Sequence, residues 1–164
     1  MADIESLILK NKPYVDEVCE KYDLKKDMLH AMILNESHGN TWAMRYEPKW
    51  HYFYKVPEMA QRNQITEITE QQLQSFSYGL LQVMGGVARE LQYFGPLPQL
   101  LNPSVGLEFG CKKLKELGKR YDRLDDLVSA YNAGTPIKRL GVFQNQGYVD
   151  KFFQTLKDIE YLVL

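Results

Sequence analysis

Along most of this chain, apolar residues recur three and four positions apart, the spacing of an α-helical face. The clearest run is Leu24 to Glu36, where Met28, Leu29, Met32, Ile33 and Glu36 share one face before Ser37-His38-Gly39-Asn40 breaks the pattern. Ahead of it a helical pair is predicted over about 3–10 and 13–22, with Pro13 at a first helical position, where a missing N–H costs nothing. Thr69 with Gln72 reads as a capping box for a short helix ending near Phe76. The stretch Ser77 to Met84 is either extended or a tight loop, and Gly85-Gly86 opens a helix to about Tyr93. Asn102-Pro103 joins an N-cap to a first-turn proline and starts a helix to about Tyr121. Further helices are predicted over about 123–133, stopped by Gly134, and over about 148–161, with a loop at 135–146 between them. Residues 41–64 fit neither period; Trp42, Tyr46, Trp50, Tyr52, Phe53 and Tyr54 crowd together there, punctuated by Pro48 and Pro57. The sum is a mainly α chain with at most a small extended segment.

Composition narrows this picture. A chain of 164 residues, 45% hydrophobic and 25% charged, has the size and apolar content of one compact domain with its own core. Its 20 basic and 21 acidic residues leave a net charge of -1 without any basic run, so there is no electrostatic footprint for nucleic acid. A neutral or mixed-charge partner such as a glycan remains open. Cys19 and Cys111 make neither a disulfide framework nor a zinc site; they are two buried thiols or a single bridge. His30, His38 and His51 lack metal-ligand spacing, and no cofactor is implied. No apolar run reaches membrane-spanning length, and the first residues lack the basic region of a secretory signal. A substrate outside the cytoplasm would then be reached by lysis, on a phage particle, or after loss of a leader. A monomer is expected.

Glu36 is the residue whose setting points to chemistry. It ends an apolar stripe, so its side chain is expected on the core side, where desolvation disfavours the carboxylate. It also stands at the negative end of the helix dipole. A carboxyl held protonated near neutral pH is what protonation of a glycosidic oxygen requires. The alternative is a frayed surface acid at a helix end. Asn35-Glu36-Ser37 also reads as a glycosylation sequon, but it lies inside this proposed site.

Four segments then occur in order: Glu36-Ser37, Tyr78-Gly79-Leu80-Leu81-Gln82-Val83-Met84, Ser129-Ala130-Tyr131-Asn132-Ala133-Gly134, and Gly147-Tyr148-Val149. Together they resemble the catalytic domain of the soluble lytic transglycosylases, a lysozyme-like fold related to goose-type lysozymes. Asn102-Pro103 resembles the family's Asn-Pro segment. Leu81 and Val83 replace the family's Met and Ile, and the stretch between Glu36 and Gly79 is longer than in short members; the insertion is expected beside the substrate cleft.

The resemblance implies a peptidoglycan-cleaving enzyme acting on cell-wall glycan strands. It makes Glu36 the acid, then the base, in cleavage between N-acetylmuramic acid and N-acetylglucosamine, leaving a 1,6-anhydro end. It gives Tyr148 the task of orienting Glu36, and Ser37 that of steadying the acid or meeting the acetamido group. Gln82 and Met84 would meet the sugar, and Tyr131 and Asn132 would line the cleft. Tyr131 and Tyr148 read equally well as core aromatics, and Asn132 as a helix-end residue. No second acid stands in these segments, whereas hydrolytic glycosidases use two. The nearest candidate, Glu47, follows Arg45 and precedes Lys49, either of which is a natural ion-pair partner. A hydrolytic lysozyme and a non-catalytic glycan-binding or structural phage module are the rival readings.

Overall fold

The computed structural model of the protein describes residues 4–160. Among these, the chain forms eight α-helices, five short strands and one 3-10 turn. It is the mainly α fold that the periodicity implies. The chain divides into two compact units, Met1–Gly39 with Cys111–Leu164, and Asn40–Gly110.

The first unit begins with α1 (Ile4–Tyr22). Ile8, Asn11, Val15, Val18 and Cys19 are its buried stripe, at helical spacing throughout. Pro13 lies inside this helix and does not start a second one, which corrects the predicted pair. The stripe runs past Pro13 without a break, and the carbonyl that Pro13 cannot bond belongs to Leu9, whose residue is 51% exposed and open to water. Helix α2 (Lys26–Ser37) follows, and it is buried from Leu29 to Asn35 without interruption. It is therefore a central helix rather than one with a single apolar face, because α1 and α8 (Gln146–Glu160) both pack along it. Helix α7 (Leu124–Ala133) ends at Gly134, whose φ of +83° suits glycine. The segment expected as a loop at 135–146 holds a small hairpin, β4 (Lys138–Arg139) and β5 (Val142–Phe143). Helix α8 starts two residues before Tyr148, and the predicted end at Tyr161 lies outside the described residues. Cys19 and Cys111 are buried thiols that form no disulfide. Burial pushes the Cys19 thiol up to about 11, which keeps it an unreactive hydrophobe.

The second unit carries a three-stranded antiparallel sheet in the order β1 (Met44–Tyr46), β2 (Phe76–Tyr78), β3 (Val83–Met84). Between β1 and β2 lie α3 (Val56–Asn63) and α4 (Glu67–Gln74). Thr66, not Thr69, caps α4: its hydroxyl oxygen accepts from the Thr69 amide at 3.1 Å and pairs with the Thr69 hydroxyl at 2.8 Å. The stretch 77–84 is both extended and turned, since its two ends pair as β2 and β3. Gly79 makes the turn at φ +69°, where a Cβ would stand 2.7 Å from the Leu100 carbonyl oxygen. Helix α5 (Gly85–Glu90) is shorter than predicted, and a 3-10 turn at Leu97–Leu101 precedes α6 (Pro103–Gly118). Asn102 Oδ1 accepts from the Ser104 amide at 3.0 Å, as its N-cap position requires.

The centre of this unit is charged and dry. Arg89 and Glu70, both with 0% side-chain exposure, pair through Nε–Oε1 at 2.7 Å and Nη2–Oε2 at 3.0 Å. Arg89 Nη1 also donates to the carbonyls of Tyr93 at 2.8 Å and Gly95 at 2.7 Å, and Gln74 Nε2 donates to Glu70 Oε1 at 2.9 Å. Four of the five Arg89 N–H groups and both Glu70 oxygens are thus met, the condition under which a buried ion pair is tolerated. Among the described residues no helix is long and apolar enough to cross a membrane.

Candidate active site

The end of α2 is fixed before any chemistry begins. His38 takes a left-handed conformation, φ 52°, and returns its amide to the Leu34 carbonyl. Gly39 follows at φ 72°. The side chain of Asn11, buried in α1, donates to Gly39 O at 3.2 Å and to Leu7 O at 3.1 Å, which ties the break down. On the other side, Lys151 Nζ of α8 donates to the Asn35 carbonyl at 3.1 Å, and Asn35 Nδ2 donates to Tyr148 O at 3.3 Å. A cation at this terminus also suits the helix dipole. Asn35 is only 7% exposed, so the sequon is closed to a glycosyl donor.

Glu36 is half-buried at this fixed terminus. The Tyr148 hydroxyl donates to its Oε1. Burial first, then the Glu36 charge, pushes the Tyr148 phenol far above its ordinary range, so it remains a protonated donor. Tyr131, buried on α7, is pushed well above its ordinary range by the same two influences in the same order. Lys113 of α6 completes the cluster. Its Nζ donates to the Tyr131 carbonyl at 2.7 Å and stands 3.9 Å from the Tyr131 ring centre. Burial pushes the Lys113 ammonium down to about 8, against the opposing pull of the Glu36 carboxylate. The carboxylate acting on Tyr131, Tyr148 and Lys113 alike is that of Glu36.

The other expected residues are placed as follows. The Ser37 hydroxyl donates back to the Ile33 carbonyl at 3.2 Å, within its own helix. Asn132 is exposed, and its Oδ1 accepts from Asn145 Nδ2 at 2.9 Å, which leaves its Nδ2 as the group to donate. Asn145 is itself fixed by the Ser129 hydroxyl at 2.7 Å and the Ser129 carbonyl at 3.1 Å. Gln82 and Met84 belong to the second unit. Gln82 has φ 45°, and its Nε2 donates to Gly79 O at 2.9 Å and Ala43 O at 3.0 Å while its Oε1 accepts from Ser77 Oγ at 2.9 Å. It braces its own hairpin. Met84 is half-exposed opposite Ser77 on β3. Glu47 pairs with Arg45, Nε–Oε1 2.5 Å, the ion pair its sequence neighbours suggest.

The family model described as the transglycosylase SLT domain matches residues 13–148, most of the chain and ending on Tyr148 itself. The chain belongs to the transglycosylase SLT domain family. Comparison with curated proteins and with solved structures returned no match. Family membership carries lytic transglycosylase activity on peptidoglycan at the family level.

Within this SLT domain, sequence reasoning passed over Lys113, Asn35 and Asn145. Lys113 had a signal: it shares a helical face with Gly110, Leu114 and Leu117, so it interrupts an apolar stripe with a charge. Asn145 had none, because it lies in the turn before α8 while its partners Ser129 and Asn132 lie in α7.

Proposed function

We propose that this SLT domain is a peptidoglycan lytic transglycosylase in which Glu36 is acid and then base. The protonated Glu36 carboxyl donates to the oxygen that links N-acetylmuramic acid to N-acetylglucosamine, and the bond from C1 to that oxygen breaks. The C6 hydroxyl of the same muramoyl residue then closes on C1 and gives its proton to Glu36. The product ends in 1,6-anhydromuramic acid, Glu36 is protonated again, and no water is consumed.

The observation that carries this reading is the Glu36 cluster, in which one carboxyl takes a hydrogen bond from Tyr148 and acts electrostatically on Lys113 and Tyr131. An intramolecular nucleophile removes the need for the second carboxylate that hydrolysis uses. Tyr148 orients the carboxyl, since a phenol that stays protonated presents a fixed donor. Ser37, Tyr131 and Asn132 are assigned to the sugar around Glu36, and Gln82 and Met84 also to sugar contacts. The single domain over 1–164 expected from length belongs to the same proposal. A hydrolytic mechanism would draw on Glu47 for its base, but that carboxylate is engaged by Arg45.

The test is release of soluble fragments from purified peptidoglycan. General acid–base assistance is worth about 10²–10⁴ in rate, so Glu36→Gln is expected to fold normally and lose turnover by at least that much. A Glu36→Gln protein that still solubilises peptidoglycan at the original rate contradicts the assignment.

A further inference from the structure

The irregular segment from Trp50 to Tyr54 has no task in the reaction above. With Gly86 and Glu90 of α5 it lines a cavity of about 450 Å³, inside the range of about 300–1,000 Å³ typical of small-ligand sites. Its rings are not packed away: Tyr52 is 66% exposed and Phe53 37%. They are nevertheless held in place. The Tyr52 ring stands 5.4 Å from Trp50, edge to face, and 4.1 Å from His51. Gln74 grips the Tyr54 backbone from both sides, accepting from its amide at 2.8 Å and donating to its carbonyl at 2.9 Å. That glutamine is anchored by Glu70, and Glu70 by Arg89. Gln92 Nε2 meets the Tyr54 hydroxyl at 3.2 Å. The fully buried ion pair therefore fixes a loop that has no regular structure of its own, which removes an ordering cost before any ligand arrives.

The chemistry of the lining is specific. Aromatic faces suit the C–H face of a pyranose ring. The Glu90 carboxylate accepts from ring hydroxyls. Trp50 adds a further ring to the lining. Gly86 lets the segment pack closely on α5, since a Cβ there would lie 2.9 Å from Trp50 Nε1 and 2.7 Å from the Tyr52 carbonyl oxygen. A flat C–H face and hydroxyl donors together describe a pyranose sugar.

We propose that this cavity is a second saccharide site that takes one N-acetylhexosamine ring. The assignment rests on the glycan substrate proposed above, but it uses none of the residues given to the reaction. Its function is to hold a strand that is being cut, so it acts on affinity and not on bond cleavage.

The experiment is an amide-resolved NMR titration of the Glu36→Gln protein with the β-1,4 trisaccharide of N-acetylglucosamine. It is repeated with Tyr52→Ala and with Glu90→Gln added separately. The amides of residues 50–54, Gly86 and Glu90 should shift together and saturate. Each added substitution should weaken that binding about tenfold, the size of one lost aromatic or charged contact. Tyr52 and Glu90 are both exposed, so neither change threatens the core. Saturable shifts elsewhere that ignore both substitutions overturn the proposal, as does the absence of any saturable shift. Neither result bears on turnover by the unmodified protein, and loss of the 1,6-anhydro product would leave a working sugar site in place.

Discussion

At the scale of single residues, the account stands on Glu36 and the groups that touch it. Tyr148→Phe removes one hydrogen bond to a carboxyl that stays at a fixed helix end, so turnover should fall about tenfold to a hundredfold, clearly less than for Glu36→Gln. Equal losses in the two variants would mean that Tyr148 does more than orient. Lys113 gives a pH prediction. Its ammonium, pushed down to about 8, is still charged at neutral pH and there disfavours the acid form of its neighbour Glu36. Lys113→Met should therefore carry the alkaline limb of the kcat/KM profile to higher pH. The two profiles should converge above about pH 8, where the lysine has lost its own charge. Identical profiles below that pH would refute the coupling. Glu36 was legible in the sequence because an acid closing an apolar stripe is a local conflict. The pairings of Asn132 with Asn145 and of Lys113 with Tyr131 were not, because each joins two elements whose approach no local pattern records.

At the scale of elements, α2 matters most, since it holds the acid. His30 is buried in it, and burial pushes its imidazole down to about 4. The unfolded chain takes a proton on this histidine below about 6.5, while the folded chain refuses it until about 4. Between those values the unfolded state binds more protons, so stability falls as pH falls, by about 3 kcal/mol over the full window. Urea unfolding at pH 7 and pH 4.5 should show the loss, and His30→Gln should remove most of its pH dependence. The β2–β3 hairpin offers a second check. Gly79→Ala places a side chain at φ +69° against the Leu100 carbonyl and should destabilise by about 1–3 kcal/mol, read from the thermal midpoint. Helix positions were readable from spacing, and the Asn102-Pro103 start was readable from capping chemistry. Pro13 misled because a proline inside a helix and one at its start look alike when the apolar stripe continues past it. Thr66 was missed because its partner at N3 is Thr69, not the Glu or Gln of the usual box.

At the scale of the molecule, each unit has its own organising centre: a helix buried from Leu29 to Asn35 in one, a buried ion pair in the other. Arg89→Met would strand the Glu70 carboxylate in a dry interior, a loss of about 3–5 kcal/mol that denaturant unfolding would register. The family was legible because its segments are local and ordered along the chain. The aromatic insertion was not, since its loop is fixed by Gln74, Glu70 and Arg89, residues 20 to 35 positions further on. The most direct test of the central claim is mass spectrometry of muropeptides released from purified peptidoglycan. Fragments ending in 1,6-anhydromuramic acid are the predicted result. Fragments heavier by one water would contradict it, because they would require a hydrolytic step and a second base.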